Sequence, residues 1–374
     1  MAASPPRIVH VIPQIGIGGA EMQLCRLISG TPAGRAEHRV LFYSDSLDEQ
    51  GFQVYRDSGI VLTRVARGSG GSPAFLWRLT KAVTERRPDI VHCWLPSAAF
   101  WGRWAATLAG AKRIVLAIRN THIDLVPLLR ISRLADGGRI RYLVNSTATA
   151  EAVTRLIGAP PERTTVIWNG IDLRERPSTA LRESLLQRYG CPPGTWVVLT
   201  VGRLTAIKNY PMLLRVAARC RGRLPVHFFV VGHGDLEVDL KNLANQLNVS
   251  DTVHFLGLRR DVSALLGAAD LFCYTSRYEG FPNALLEAME AGRPIVTTRF
   301  AGVEDLISPG LDARVVDLDD DEAAFQEVRT LLEDPAAAAR LGAAARRTVE
   351  ERFTTERMVE ATLAYYNRIM SGLA

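Results

Sequence analysis

Apolar residues follow two alternating rhythms along the chain. Short runs of Val, Ile, Leu and Phe recur between longer stretches in which apolar positions return every three or four residues. The short runs predict strands at 7–12, 39–43, 60–65, 90–93, 113–118, 142–145 and 165–168. After a break they resume at 196–201, 227–231, 252–256, 271–275, 294–298 and 313–316. The longer rhythm predicts helices at 20–29, 75–86, 210–221, 236–247 and 283–290. The strand runs are nearly continuous in apolar character, as expected of strands covered on both faces, and they alternate with helices. That pattern predicts an α/β fold built from parallel sheets with crossover helices.

The rhythm lapses between Asn169 and Gly194, where Gly170, Pro177, Gly190, Pro192, Pro193 and Gly194 gather around a charged run at 174–176. We therefore expect a Rossmann-like domain over 1–169, a linker over 170–193 and a second Rossmann-like domain over 194–352. A closing segment, 353–374, carries Val359, Leu363, Tyr366 and Ile369 at helical spacing and could cross back to the first domain. Each half opens with a strand and a glycine turn, without residue-level repetition.

The chain has 374 residues, 47% hydrophobic and 22% charged, which excludes a disordered chain, a collagen-like repeat and a coiled-coil rod. No run approaches the roughly 18 apolar residues a spanning helix needs, and the first residues do not resemble a secretory signal. Five scattered cysteines (Cys25, Cys93, Cys191, Cys220, Cys273), with no CxxC pair, suit buried or idle thiols in a reducing cytoplasm.

Net charge is +6, from 45 basic and 39 acidic residues, and only four of the basic residues are lysine (Lys81, Lys112, Lys208, Lys241). The charge divides unevenly: residues 1–169 hold 21 Lys/Arg against 12 Asp/Glu, +9, and the remainder 24 against 27, −3. The basic half also carries Trp94, Phe100, Trp101, Arg103 and Trp104, and a stretch with Arg130, Arg133, Arg139 and Arg141. Tryptophan beside arginine suits an anionic membrane surface; the plain alternative is a core helix with a solvated basic face. No recognised motif supports a nucleic-acid partner.

Three constellations can carry chemistry. The first is Gly16-Ile17-Gly18-Gly19-Ala20-Glu21, between a strand and a helix, where glycines admit a ligand and the helix start offers N–H groups to an anion. A dinucleotide fingerprint would need glycine where Glu21 stands, although Asp45 lies roughly where a ribose-binding acid would follow. The second, Gly202-Arg203-Leu204-Thr205-Ala206-Ile207-Lys208-Asn209, puts two cations in a loop at a strand's carboxyl end, where open α/β sheets bind ligands. It lacks the pattern of a nucleoside-triphosphatase P-loop. The third runs from Ser276 to Gly292: a strand enters a Gly/Pro loop holding Glu279, Gly280, Phe281 and Pro282, then a helix with Glu287 on about its second turn. Loop N–H groups and the helix start can hold a diphosphate, and two flanking carboxylates can accept from sugar and ribose hydroxyls. Each constellation could instead be an ordinary turn or solvated helix start. The acidic run 317–321 precedes a helical pattern and reads as an N-terminal cap rather than a metal site.

Glu279 to Val296, EGFPNALLEAMEAGRPIV, resembles the E-x7-E signature of retaining glycosyltransferases of the GT-B fold, specifically glycosyltransferase family 4. GGAE at 18–21, VIWNGID at 166–172, VGRLTAIKN, VVGHGDL, FLGLRRDV and AGVEDLI at 301–307 resemble other elements of that family in order. The resemblance implies two Rossmann-like domains facing across a central cleft. The first would bind a saccharide or lipid-linked acceptor and the second a nucleotide-sugar donor, with a UDP-sugar favoured over GDP-mannose. It implies that Arg203 and Lys208 neutralise the donor diphosphate and that Glu287 binds the ribose. Glu279, with the backbone of Gly280, Phe281, Asn283, Ala284 and Leu285, would hold the donor sugar. Gly257, Leu258 and Arg259 would meet the base, and Gly18, Gly19 and Gly202 would admit the phosphates. Glu304 is a weaker match. Family members place a histidine after the strand at 113–118; this chain has Arg119-Asn120-Thr121-His122 there, so either Arg119 or His122 faces the sugar.

The resemblance further implies retention of configuration, no metal and no other cofactor. The expected site is the cytoplasm, with peripheral attachment at the inner face of the cytoplasmic membrane and a role in polysaccharide or glycoconjugate biosynthesis. Two rival functions follow from the same residues: an NAD(P)-dependent oxidoreductase, from the Gly16–Glu21 turn and Asp45, and a non-catalytic binding subunit with a transferase fold.

Overall fold

The computed structural model describes residues 5–44, 49–68, 73–123, 125–133, 137–175 and 180–372. Asp45, Arg176, Pro177 and the side chain of Arg133 lie outside the described residues. The chain divides into two compact units, residues 1–170 with 353–374, and residues 171–352.

The first unit is laid on β1 (Arg7–Ile12), β2 (Glu37–Phe42), β3 (Leu62–Arg64), β4 (Ile90–Trp94), β5 (Ile114–Ile118), β6 (Ile140–Val144) and β7 (Thr164–Val166). All pair in parallel, in the order β3-β2-β1-β4-β5-β6-β7. Helices α1 (Gly19–Ser29), α2 (Glu49–Asp57), α3 (Pro73–Thr84), α4 (Leu95–Leu108), α5 (Val126–Arg133) and α6 (Thr147–Ile157) connect them. Residues alternate across the sheet, so β1 sends Val9 and Val11 into one apolar layer and Ile8 and Ile12 into the other.

The tryptophan–arginine run is seated differently from a membrane-facing surface. Trp94 and Arg103 are buried, and Trp101 packs edge-on against Phe75, its ring centroid 5.6 Å away. Much of the aromatic character of α4 serves the core.

The second unit is laid on β8 (Trp196–Val201), β9 (Val226–Val231), β10 (Val253–Gly257), β11 (Leu271–Tyr274), β12 (Ile295–Thr298) and β13 (Arg314–Val316). They are parallel, in the order β10-β9-β8-β11-β12-β13. Its helices are α7 (Leu181–Arg188), α8 (Tyr210–Cys220), α9 (Glu237–Gln246), α10 (Val262–Ala268), α11 (Asn283–Glu290), α12 (Val303–Leu306), α13 (Asp321–Glu333) and α14 (Pro335–Arg352). The stretch expected to be a linker therefore contains a helix. Arg182 of α7 donates to the carbonyls of Ala268 (2.8 Å) and Thr195 (2.9 Å) and pairs with Asp270 at 2.8 Å. These bonds build α7 into the unit, which begins at Ile171.

The last helix, α15 (Thr355–Met370), belongs to the first unit. Thr354 caps its start, accepting from the Arg357 N–H at 3.3 Å. Arg113 closes its end by donating to the carbonyls of Ile369 and Met370, both at 2.9 Å. Met358, Val359, Leu363, Tyr366 and Ile369 enter the apolar layer that holds Leu24 and Leu27 of α1. Gln23 grips Gly170 through two hydrogen bonds, 2.8 and 3.0 Å. A Cβ at Gly170 would lie 2.8 Å from the Thr354 carbonyl, so only glycine passes beneath the start of α15.

Candidate active site

In the second unit the chemistry-bearing residues lie in loops that leave the carboxyl ends of neighbouring parallel strands, as expected for ligand sites of open α/β sheets. The loop after β8 packs backbone to backbone against the loop after β9. Leu204 N–H donates to His233 O (3.0 Å), and Leu236 N–H donates to Leu204 O (3.1 Å). Gly232 sits at φ +136°, where a Cβ would lie 2.0 Å from Gly202 O. This close approach presents residues 202–204 at the strand ends.

A single 3-10 turn, Ala206–Lys208, and a left-handed Asn209 (φ 50°) then start α8 and swing Lys208 back over Gly202. A Cβ at Gly202 would meet the Lys208 Cε at 3.3 Å. Lys208 Nζ donates to Glu279 Oε1 at 2.5 Å and to the Tyr274 hydroxyl at 2.7 Å. Tyr274, the last residue of β11, donates to the same Glu279 oxygen at 2.7 Å, and the Ser276 hydroxyl lies 2.6 Å from it. Three donor groups thus converge on one carboxylate oxygen. Burial and the neighbouring Glu279 charge push the Tyr274 phenol well above its usual range, so it remains a donor. The loops after β8 and β11 are also joined directly: Arg277 N–H donates to Ile207 O (2.8 Å), and Thr275 Oγ1 donates to Lys208 O (3.0 Å).

Beyond this loop, Phe281 and Leu285 are buried, so only their backbone can face a ligand. Asn283 and Ala284 form the first turn of α11 with Pro282 as its N-cap, and Glu287 is half-buried one turn further on. The positive dipole end of α11 favours an anion. Arg203 is exposed, and its guanidinium pairs with no described residue. Gly257 has positive φ, Leu258 is exposed, and Arg259 is held by Asp261 through bonds of 2.8 and 2.6 Å. Glu304 pairs with Arg299 at 2.9 Å.

The acidic run is consumed by the protein itself. Asp320 caps α13 by accepting from the Ala323 N–H at 2.9 Å. Asp321 is gripped by Arg215 and Arg219, and Asp319 by Arg277 at 2.7 Å. The Arg277 hydrogen bond holds Asp319 below the usual carboxylate range.

The remaining expected residues belong to the first unit. Gly18 is the N-cap of α1, Gly19 its first residue, and Glu21 is buried with its carboxylate accepting from Gln14 at 3.0 Å. A Cβ at Gly18 would meet that carboxylate at 2.4 Å, so Glu21 occupies space beside the turn that a bare dinucleotide turn leaves open. Arg119 and His122 have different surroundings. Arg119 lies over the Trp94 ring at 5.1 Å and donates to Asn169 Oδ1, and burial brings its pKa down to about 10. The His122 ring is exposed.

Sequence reasoning overlooked Tyr274 and Ser276, which orient Glu279, and the Gly232 contact. Their signal was present: a tyrosine ending an otherwise apolar strand immediately before the Ser276–Gly292 loop.

Residues 17–175 match the model of glycosyltransferase family 4 and residues 182–348 that of glycosyl transferases group 1. The chain is 27% identical over 299 residues to the lipopolysaccharide core biosynthesis glycosyltransferase LpsD of Rhizobium meliloti, covering 78% of this chain and 79% of that one. It is 29% identical over 255 residues to the Escherichia coli UDP-Gal:α-D-GlcNAc-diphosphoundecaprenol α-1,3-galactosyltransferase, covering 65% of this chain and 66% of the relative. Its fold is that of Anabaena HepE, solved in complex with UDP and glucose, with a TM-score of 0.85 at 21% identity over 97% of this chain and 99% of that one. With two parallel α/β sheets and a family model on each half, the chain belongs to the GT-B glycosyltransferases of family 4.

Proposed function

We propose that the chain is a retaining, metal-independent transferase that moves a sugar from a UDP-sugar to a saccharide or lipid-linked saccharide in glycoconjugate biosynthesis. The observation that carries this reading is the Lys208–Glu279–Tyr274 cluster in the loops leading to the start of α11. A departing nucleoside diphosphate needs concentrated positive charge. Lys208, held by Glu279 and Tyr274, and the α11 start supply it from fixed positions, so their stabilisation costs little reorganisation at the transition state, and the exposed Arg203 adds a further cation. Glu287 then accepts from the ribose, and Glu279 with the backbone of Gly280 to Leu285 accepts and donates to the sugar hydroxyls. The loop at Leu258 and Arg259 meets the uracil. No step calls on a metal, because these cations do the work a divalent ion does elsewhere. Retention follows from same-face attack with the leaving phosphate accepting the acceptor's proton; no carboxylate is assigned as nucleophile.

The E. coli relative is named for a UDP-galactose donor and a diphosphoundecaprenol acceptor, and HepE was solved with UDP, which favours the UDP reading over GDP. The first unit would take the acceptor. Either Arg119, held by Asn169 and Trp94, or the exposed His122 would face the transferring sugar. The test is a thermal-shift series with UDP and GDP, followed by turnover of UDP-sugars in excess chelator and assignment of the product anomer. UDP at 100 times its Kd should stabilise the protein by about 2.7 kcal/mol. Absence of a UDP shift, loss of turnover in chelator, or an inverted product would each defeat the corresponding part of the reading.

A further inference from the structure

At the opposite ends of the second unit's strands, away from the donor loops, three soft-metal ligands from three elements meet. His227 is the second residue of β9, His254 the second of β10, and Cys191 lies in the turn between α7 and β8. His227 and Gly232 are five residues apart along β9, about 16 Å at strand rise. The Cys191 Sγ lies 3.2 Å from His227 Nδ1, which lies 2.8 Å from His254 Nε2. All three ligand atoms fall within 4.8 Å of one another, and each residue is half-buried, neither sealed in the core nor fully solvated.

Hydrogen bonding alone satisfies this arrangement poorly. An imidazole nitrogen carries either one proton or one lone pair, so His227 Nδ1 can complete one good hydrogen bond. Two heteroatoms nevertheless converge on it, one from the edge strand and one from the preceding turn. A cation between them accepts a lone pair from each. Tetrahedral zinc, with Zn–N about 2.05 Å and Zn–S about 2.3 Å, sets N···N near ~3.3 Å and S···N near ~3.6 Å. The two close spacings, 2.8 and 3.2 Å, fall short of those edges by roughly half an ångström and can open to them by small side-chain rotations. The donor set also selects the ion. Thiolate with two imidazoles suits zinc and its neighbours and disfavours magnesium and calcium, which take oxygen ligands.

We propose that Cys191, His227 and His254 bind a zinc-type dication, with water as fourth ligand. The ion staples the turn after α7 to edge strand β10 and its neighbour β9. Its role is structural, because it lies at the wrong end of the strands for the donor loops; the other four cysteines are buried in cores and do not compete for it.

The experiment uses the full chain, made without a polyhistidine tag. Zinc content per chain is measured, and the metal-free chain is titrated with Co2+, whose spectrum reports both a bound thiolate and tetrahedral geometry. The expected result is one equivalent bound, a thiolate-to-cobalt charge-transfer band, displacement by zinc and a higher Tm with metal. Cys191→Ser should abolish that band. His227→Gln and His254→Gln should each weaken binding by more than the roughly 10–100-fold typical of losing a supporting second-shell partner. A wild-type titration with no thiolate band, or a band unchanged in Cys191→Ser, overturns the proposal, and the wild-type result stands even if a variant fails to fold. None of these readouts depends on sugar transfer.

Discussion

At the scale of single residues, the second unit concentrates its chemistry in one lysine. Lys208→Ala removes a fixed cation from the proposed diphosphate site, and kcat should fall about 10²–10³-fold, the loss typical of deleting one preorganised charge stabiliser. Turnover equal to wild type in steady-state assays would remove Lys208 from the mechanism. Lys208 and Glu279 were legible in the sequence because both interrupt apolar rhythms inside glycine-punctuated loops. Tyr274 was not, because a tyrosine in a strand reads as packing until its hydroxyl finds Glu279 across the turn. A second residue-scale feature lies in the first unit, and sequence gave no hint of it. Trp94 can only donate, so His10 accepts at Nδ1 (3.1 Å) and donates from Nε2 to His38 Nδ1 (2.9 Å); His38 then donates to Thr31 Oγ1 (3.1 Å), and Thr31 to Leu27 O (2.7 Å). Both imidazoles in this chain are neutral, and an added proton on either would set donor against donor. Burial lowers His10, with the His38 and His92 charges adding to the effect, and burial lowers His38 to about 4. Both histidines bind protons more readily unfolded than folded. Their contribution is therefore complete above about pH 6.5 and is lost as pH falls toward about 4, on the order of 3 kcal/mol from His38 alone. Urea unfolding at pH 7, 5.5 and 4.5 should show falling stability, and His38→Gln should flatten the trend; a flat wild-type profile would contradict the assignment.

At the scale of elements, the strands were the most legible part of the fold, because a strand buried on both faces has to be continuously apolar and its ends are marked by glycine and proline. Less legible were helices whose burial comes from context. α7 hides in a stretch of Pro, Gly and charge, held by Arg182 bonds to backbone carbonyls rather than by an apolar face of its own. The tryptophans around α4 look interfacial in sequence, yet Trp94 is core, a distinction that depends on what packs above the strand. Two substitutions test how elements hold the site. Gly232→Ala must place a Cβ 2.0 Å from Gly202 O at φ +136°, so the loops after β8 and β9 have to separate. We expect a loss of about 1–3 kcal/mol or more, with UDP binding reduced alongside it. A variant with wild-type Tm and UDP affinity would show that this contact does not position residues 202–204. Leu363→Ala, in the buried face of α15, should cost about 2–5 kcal/mol by chemical denaturation. A much smaller loss would mean that the last helix is a loose appendage rather than part of the first unit's core.

At the scale of the whole molecule, charge is partitioned between the two compact units. The closing segment 353–374 adds two arginines and two glutamates, so the first unit remains at +9 and the second at −3. A net-negative second unit does not attract a diphosphate through its overall field, and its affinity has to come from local cations such as Arg203 and Lys208. The first unit's excess is different in kind, because it is spread along the chain. On α5 and the residue before it, Leu125 and Leu128 are 40% and 41% exposed, with Arg130 also exposed. Among the described residues no helix is long and apolar enough to cross a membrane. What this combination supports is adsorption: each basic side chain near an anionic bilayer contributes about 1 kcal/mol, screened within a Debye length. The full chain should therefore float with vesicles containing anionic lipid at low salt, be released as salt rises, and ignore neutral vesicles. Replacing Leu125 and Leu128 by Asp should weaken flotation while leaving the UDP-induced thermal shift intact, since both residues lie in the first unit and the proposed nucleotide site in the second. Equal flotation with anionic and neutral vesicles would detach the basic excess from any membrane role and leave a soluble saccharide as the simpler acceptor.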